Sequence, residues 1–150
     1  MKTILVTGGS GFIGSNLVAA LLARGTHRIV ICDQFGTGDK WRNLAKHRIF
    51  EVIAPAQIFD WLETNKNELE AIVHMGAVSS TTETNVDLIL STNFTLSRSL
   101  WNWATKNKKR FIYASSAATY GNGDAGFDDD SSIDALSKLK PLNAYGWSKH

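Results

Sequence analysis

Two clusters of residues in this chain have the types and spacing for chemistry. The first is Thr7-Gly8-Gly9-Ser10-Gly11-Phe12-Ile13-Gly14, directly after a strand-like run and directly before an amphipathic pattern. Gly8 permits a tight turn, Gly11 lets backbone N–H groups approach a phosphate with no Cβ in the way, and Gly14 allows a helix to pack closely on a strand. The N-terminus of the following helix favours an anion. A glycine triplet alone can serve turn geometry without any ligand. Here the strand-turn-helix context and Asp33, 19 residues past Gly14, point to a dinucleotide pyrophosphate. Asp33 would accept hydrogen bonds from the adenosine ribose, which favours NAD. Lys40 and Arg42 could instead offset a 2′-phosphate and accommodate NADP, and both also read as solvent-facing loop cations.

The second cluster is Tyr145-Gly146-Trp147-Ser148-Lys149, after Pro141 in a helical pattern expected over Leu142–His150. Tyr145 and Lys149 share a helix face one turn apart. Phenols are ordinarily weak bases at neutral pH. A neighbouring ammonium and a cationic nicotinamide ring both favour phenolate, which makes such a group usable for moving a hydroxyl proton. Ser116, just past the fifth expected strand, would stand at the carboxyl edge of an α/β sheet and hold a substrate alcohol or ketone. Tyr-x-x-x-Lys by itself is common on surface helices; with the glycine turn and Ser115-Ser116 it reads as redox chemistry at a carbinol carbon. His27, His47, His74 and His150 show no ligand spacing, so no metal site is expected, and no Gly-x-Ser-x-Gly elbow is present. His74 closes an apolar strand and reads as a packed or backbone-bonded residue.

These residues need a frame to position them. Apolar runs at Lys2–Val6, Arg28–Cys32, Ile49–Ala54, Ala71–His74 and Arg110–Ala114 alternate with helical patterns. Phe12–Arg24 repeats Ile13, Leu17 and Leu21 beside Val18 and Leu22, one buried face, and Gly25 ends it. A single helical turn is expected near Trp41–Leu44. Ile58, Phe59, Leu62 and Leu69 outline a further helix, and Asp87–Asn107 a long one with Leu88, Ile89, Leu96, Leu100 and Trp103 as core. Gly121–Ser132 is a loop. The expected fold class is α/β, one doubly wound parallel sheet of Rossmann type, five strands in the order 3-2-1-4-5.

Composition narrows the function further. The chain has 150 residues, 43% hydrophobic and 20% charged, with a net charge of +2. A near-neutral single domain of this kind calls for neither nucleic acid nor an anionic membrane. Lys106-Asn107-Lys108-Lys109-Arg110 reads as a solvated helix C-terminus whose cations match the dipole. Cys32, the only cysteine, excludes an intramolecular disulfide and reads as a small buried residue. No apolar run reaches the roughly 18 residues of a membrane span, and the N-terminus enters a strand without a leader pattern, so a cytoplasmic protein is expected.

The stretches TGGSGFIGSN (Thr7–Asn16), HMGAVSSTTE (His74–Glu83), YASSAATYG (Tyr113–Gly121) and PLNAYGWSK (Pro141–Lys149) together resemble the extended short-chain dehydrogenase/reductase superfamily. Within it they resemble the ADP-L-glycero-D-manno-heptose 6-epimerase family, which Ser79–Glu83 and Tyr113–Gly121 single out. The resemblance implies that NADP, rather than NAD, is contacted by Phe12 and Ile13 in the turn, Asp33 with Gln34, Lys40, Met75, Gly76, Ala77, Val78, Ser79 and Asn93. It implies Tyr145 as proton acceptor and Lys149 on the nicotinamide ribose. Hydride would leave C6″ of an ADP-heptose, and the transient ketone would take it back on its other face. The second acid/base would be a lysine beyond His150, so the chain corresponds to the N-terminal half of a family member. On this reading residues 1–150 are the NADP-binding domain without the substrate-binding part, bind cofactor without turnover, and are marginally stable. The full-length protein would be a homo-oligomer. One departure is that family members can carry a further cofactor-contacting lysine near the end of strand three, where this chain has Ala54-Pro55. The alternatives are another extended reductase or sugar-nucleotide epimerase, a dehydratase, or a non-catalytic dinucleotide-binding fragment. A dehydratase would carry an acidic neighbour of the active-site hydroxyl, and Ser116 is flanked by Ser115 and Ala117.

Overall fold

β1 (Thr3–Thr7) is a run of five residues, all buried, and it forms the middle of a sheet. In the computed structural model, which describes Met1 through His150, its companions are β2 (Arg28–Cys32), β3 (Glu51–Ile53), β4 (Leu69–His74) and β5 (Arg110–Tyr113). Every pairing is parallel, as the alternation of strands and helices predicts, and the order is β3-β2-β1-β4-β5, as expected of the Rossmann type. Val6 lies opposite Ile31 on one side and Val73 on the other. Strands covered on both faces are apolar at every position rather than at alternate ones. Ile4, Val6, Ile29, Ile31, Ala71 and Val73 pack in one cluster with Val18 and Leu44. Leu5, Val30 and Ile72 alternate to the other face and are equally buried.

The chain divides into two units, one comprising Met1–Gly76 with Leu100–Tyr113, the other Ala77–Ser99 with Ala114–His150. The first holds the whole sheet with α1 (Phe12–Arg24) and α2 (Ile58–Asn65). Gly25 ends α1 in the left-handed region, its N–H on the Leu22 carbonyl. The second unit contains α3 (Val86–Ile89), a π-helical turn at Leu90–Thr95, α5 (Ile133–Leu136) and α6 (Ala144–Lys149). α4 (Leu96–Lys106) continues the π turn and runs from the second unit into the first. It closes in a Schellman geometry, with Lys109 N–H on Ala104 O at 2.8 Å and Lys108 N–H on Thr105 O at 3.2 Å. Lys106, Lys108 and Arg110 around this end are exposed, the solvated helix terminus expected from the sequence.

Several expectations are corrected. Ile13 does not join the buried face of α1: the first helical turn leaves Phe12 84% and Ile13 66% exposed, and the helix packs on the core through Leu17, Val18, Leu21 and Leu22. Leu69 belongs to β4 and pairs with Thr3, because α2 stops at Asn65, where a turn puts Glu68 N–H on Asn65 O. β3 is shorter than Ile49–Ala54, with its ladder beginning at Glu51 opposite Val30. The expected single helix over Asp87–Asn107 is interrupted by the π turn. An extra residue in one turn shifts the helical phase by roughly 100°. Leu88, expected in the core, is 43% exposed, while Ile89, Leu100 and Trp103 are buried. No helix is long and apolar enough to cross a membrane.

Candidate functional site

In the first unit the turn after β1 is held by backbone contacts that leave no room for side chains. Gly8 has φ +65°, and a Cβ there would lie 2.6 Å from Gly76 Cα. A Cβ on Gly14 would run into the Gly8 carbonyl and Gly9 Cα. These two glycines carry the tight turn and the helix-on-strand packing that their spacing predicts. Gly11 is different, since a Cβ there meets only Gly8 O at 3.3 Å. It is the N-cap of α1, with no side chain capping the N–H groups behind it and no acidic residue in the first turn. An uncapped helix N-terminus of this kind is complementary to an anion.

Asp33 stands at the end of β2 with both carboxylate oxygens engaged. Ser10 donates its backbone N–H (2.8 Å) and its hydroxyl to Oδ2, and Gln34 N–H (2.7 Å) and the Lys40 ammonium (3.1 Å) reach Oδ1. Lys40 also donates to the Gln34 carbonyl, so Asp33, Gln34 and Lys40 are brought together as predicted. Arg42 is not part of this group: it pairs with Asp39 and lies over the Trp41 ring. Asn43 donates to Ser10 O at 2.8 Å, tying the short helical turn at Asp39–Asn43 to the glycine turn. Sequence reasoning did not assign Ser10 or Asn43 a role. Ser10 had a signal, its place inside the glycine motif; Asn43 had none.

The end of β4 meets the same turn. Gly76 N–H donates to Thr7 Oγ1 (3.0 Å), and that hydroxyl shares a 2.6 Å hydrogen bond with His74 Nδ1. His74 is fully buried, and its ring stacks on Tyr113 and lies tilted beside Phe111. It is packed, as expected, and bonded to the Thr7 hydroxyl. Cys32, at the end of β2, is buried as expected. Burial, and then the charge of Asp33, pushes its thiol up to about 12, the opposite of an activated nucleophile.

In the second unit the catalytic candidates are set by α6 and the segment after β5. Asn143 caps α6 through its side chain on Gly146 N–H. A Cβ on Gly146 would lie 2.6 Å from Ala118 O, so this helix lies against the Ala117–Tyr120 turn. Lys149 is buried and donates its ammonium to Ala114 O at 2.9 Å. Loss of water around it lowers its pKa to about 8. Tyr145 is half-buried one turn earlier on the same helix. Ser115, not Ser116, touches Lys149, through the Lys149 carbonyl at 3.4 Å. Ser116 Oγ accepts from Ala118 N–H as the N-cap of that turn, which leaves its own proton to donate. Asn93, expected on a cofactor, is fully buried and bonds Val78 through both N–H (2.8 Å) and C=O (2.9 Å). Ser79 is exposed. A cleft of about 580 Å³ opens beside Ser115 and Ser116, lined further by Thr119, Tyr120, Asp128 and Lys138.

An ADP-L-glycero-D-manno-heptose-6-epimerase of Fusobacterium nucleatum is 45% identical over 148 residues, which is 97% of this chain and 45% of that protein. The crystal structure of the Helicobacter pylori ADP-L-glycero-D-manno-heptose-6-epimerase superposes with a TM-score of 0.80 at 32% identity, over 99% of this chain and 48% of that one. The UDP-glucuronic acid 4-epimerase of Bacillus cereus, solved in complex with NAD, gives a TM-score of 0.79 at 25% identity, over 98% and 48%. The chain thus spans less than half the length of these relatives. The family model for the NAD dependent epimerase/dehydratase family matches residues 4–150, and the chain belongs to that family.

Proposed function

We propose that residues 1–150 are the NADP-binding domain of an ADP-heptose 6-epimerase, and that the full-length protein interconverts ADP-D-glycero- and ADP-L-glycero-D-manno-heptose. The observation that carries the chemistry is the buried Lys149 ammonium on Ala114 O, one helical turn from Tyr145. The name of the 45% identical Fusobacterium relative supports the substrate. The turn fits a dinucleotide: Gly8, Gly11 and Gly14 with the N–H groups of Phe12 and Ile13 would hold the pyrophosphate, and Met75 through Ser79 would line the cofactor after β4. When bound, NADP supplies a hydride acceptor and donor at C6″ of the sugar. Tyr145 removes the proton of the substrate hydroxyl, Lys149 lowers the cost of its phenolate, and Ser116 donates to the substrate oxygen.

The state of Asp33 supports NADP over NAD. A ribose 2′-hydroxyl would have to compete with the donors that already occupy both carboxylate oxygens. A 2′-phosphate would instead find the half-exposed Lys40 ammonium. On their own the 150 residues bind cofactor without turnover, the second proton-transfer group being supplied from outside them, and the full-length protein is a homo-oligomer. The test is to incubate the full-length protein with ADP-D-glycero-D-manno-heptose and follow the sugar by proton NMR. The L-glycero epimer should form without added cofactor. No epimer, or a stoichiometric build-up of NADPH absorbance, overturns the reading.

A further inference from the structure

Ser148 lies between Tyr145 and Lys149 in sequence, and nothing in the epimerase reading gives it work. It is nonetheless buried, and both capacities of its hydroxyl are used. The O–H donates to Tyr145 O at 2.7 Å, and Oγ accepts from Asn93 Nδ2 at 3.0 Å. The same Asn93 nitrogen donates to Val78 O, and Asn93 Oδ1 accepts from Val78 N–H. Both amide protons of Asn93 are thereby spent inside the protein, so neither is left for a ligand.

The π turn sets this arrangement up. Asn93 sits within Leu90–Thr95, where the widened helix breaks its regular phase, and Ser97 Oγ donates back to the Asn93 carbonyl. α6 is only six residues long, and a helix of that length depends on contacts from outside itself. Its N-terminal end is fixed by Asn143. Its C-terminal turn, which presents Lys149, is fixed by Ser148 and by the Lys149 bond to Ala114 O.

We propose that Ser148 is a positioning residue: its hydroxyl, anchored by Asn93, clamps the Tyr145 carbonyl and so fixes the last turn of α6 and the direction in which Lys149 points. This rests on the assignment of Tyr145 and Lys149 as the reacting pair, but not on the identity of the sugar. A clamp predicts that loss of the hydroxyl releases Lys149 toward water, whereas a purely structural serine would leave its environment unchanged in whatever protein folds.

The experiment is NMR titration of the Lys149 side chain in the chain carrying ¹³C-labelled lysine, for the parent, Ser148→Ala and Ser148→Thr, with Lys149→Arg identifying the resonance. Ser148→Ala should raise the Lys149 midpoint by about one unit toward the value of a free lysine. Ser148→Thr, which keeps the hydroxyl, should return it to the parent value. In the full-length enzyme Ser148→Ala should lower kcat by about tenfold with KM nearly unchanged, the signature of a misplaced reacting group. An unchanged Lys149 midpoint in folded Ser148→Ala overturns the proposal, as does a Ser148→Thr variant that behaves like alanine. Should alanine not fold, Ser148→Cys replaces it, and a parent-like midpoint there overturns the proposal equally. The titration uses no sugar nucleotide, so an inactive epimerase assay with a shifted Lys149 refutes the substrate and leaves the clamp standing.

Discussion

Lys149 is held against the Ala114 carbonyl with its charge largely out of water, and its pKa falls from 10.5 to about 8. Because the folded value lies below the unfolded one, the unfolded chain binds more protons between those limits, and stability from this group rises with pH there. Below about pH 8 the cost of burying the ammonium is present in full. Lys149→Met should therefore be more stable than the parent near pH 7, by urea midpoint, with the gap closing toward about pH 10. A gap independent of pH would mean that the ammonium is not desolvated. Lys40 offers a second prediction. Replacing it with alanine should weaken NADP binding about tenfold, roughly 1.4 kcal/mol, and NAD binding little, by fluorescence titration. Equal losses for both would show that Lys40 supports the loop rather than a phosphate. At this scale the sequence displayed Tyr145, Lys149, Asp33 and the glycines because their spacing coincides with the strand and helix ends around them. It did not display the roles of Ser10, Ser148 or Asn93, because a serine or asparagine acquires its function from partners distant in sequence. Asn93, expected on the cofactor, bonds Val78 and Ser148 within the protein.

Among the elements, the turn into α1 has the least freedom. Gly14→Ala would drive a methyl into the Gly8 carbonyl, a backbone group that cannot yield. Loss of dinucleotide binding and a destabilisation of about 2–3 kcal/mol are expected, against near-tolerance at Gly25, where a Cβ meets nothing and only the left-handed φ opposes it. The end of α4 predicts the opposite sign. Lys108 occupies a left-handed position with φ 54°, so Lys108→Gly should stabilise the chain by about 0.5–1 kcal/mol, read as a raised thermal midpoint. An unchanged or lowered midpoint would show that the lysine side chain contributes more than its backbone strain costs. α1 and β2 could be bounded from the sequence because both their apolar pattern and their terminating residues, Gly25 and Asp33, are local signals. Leu69 could not be separated from α2, since an isolated leucine fits a helix or a strand. Leu88 was misplaced for a different reason: it adjoins the buried Ile89 in a short helix, and apolarity alone does not show which of two neighbouring residues faces the core.

For the whole molecule, a parallel sheet followed from the alternation of elements, while the order β3-β2-β1-β4-β5 followed from the Rossmann-type reading that the glycine turn after β1 supports. The division into two units was not legible, because the boundary passes through α4 and the β4 and β5 exits rather than through a linker. Cys32 lies within the first unit, buried in β2 beside Asp33. With the thiol both buried and held at about 12, a disulfide reagent such as DTNB can reach it only when the sheet opens. Its labelling rate is then a stopwatch on the opening of this half of the molecule, with no second sulfhydryl to blur the reading. NADP at a hundredfold excess over its Kd should slow that clock about a hundredfold. A rate indifferent to the dinucleotide would mean that β2 frays without the site it supports.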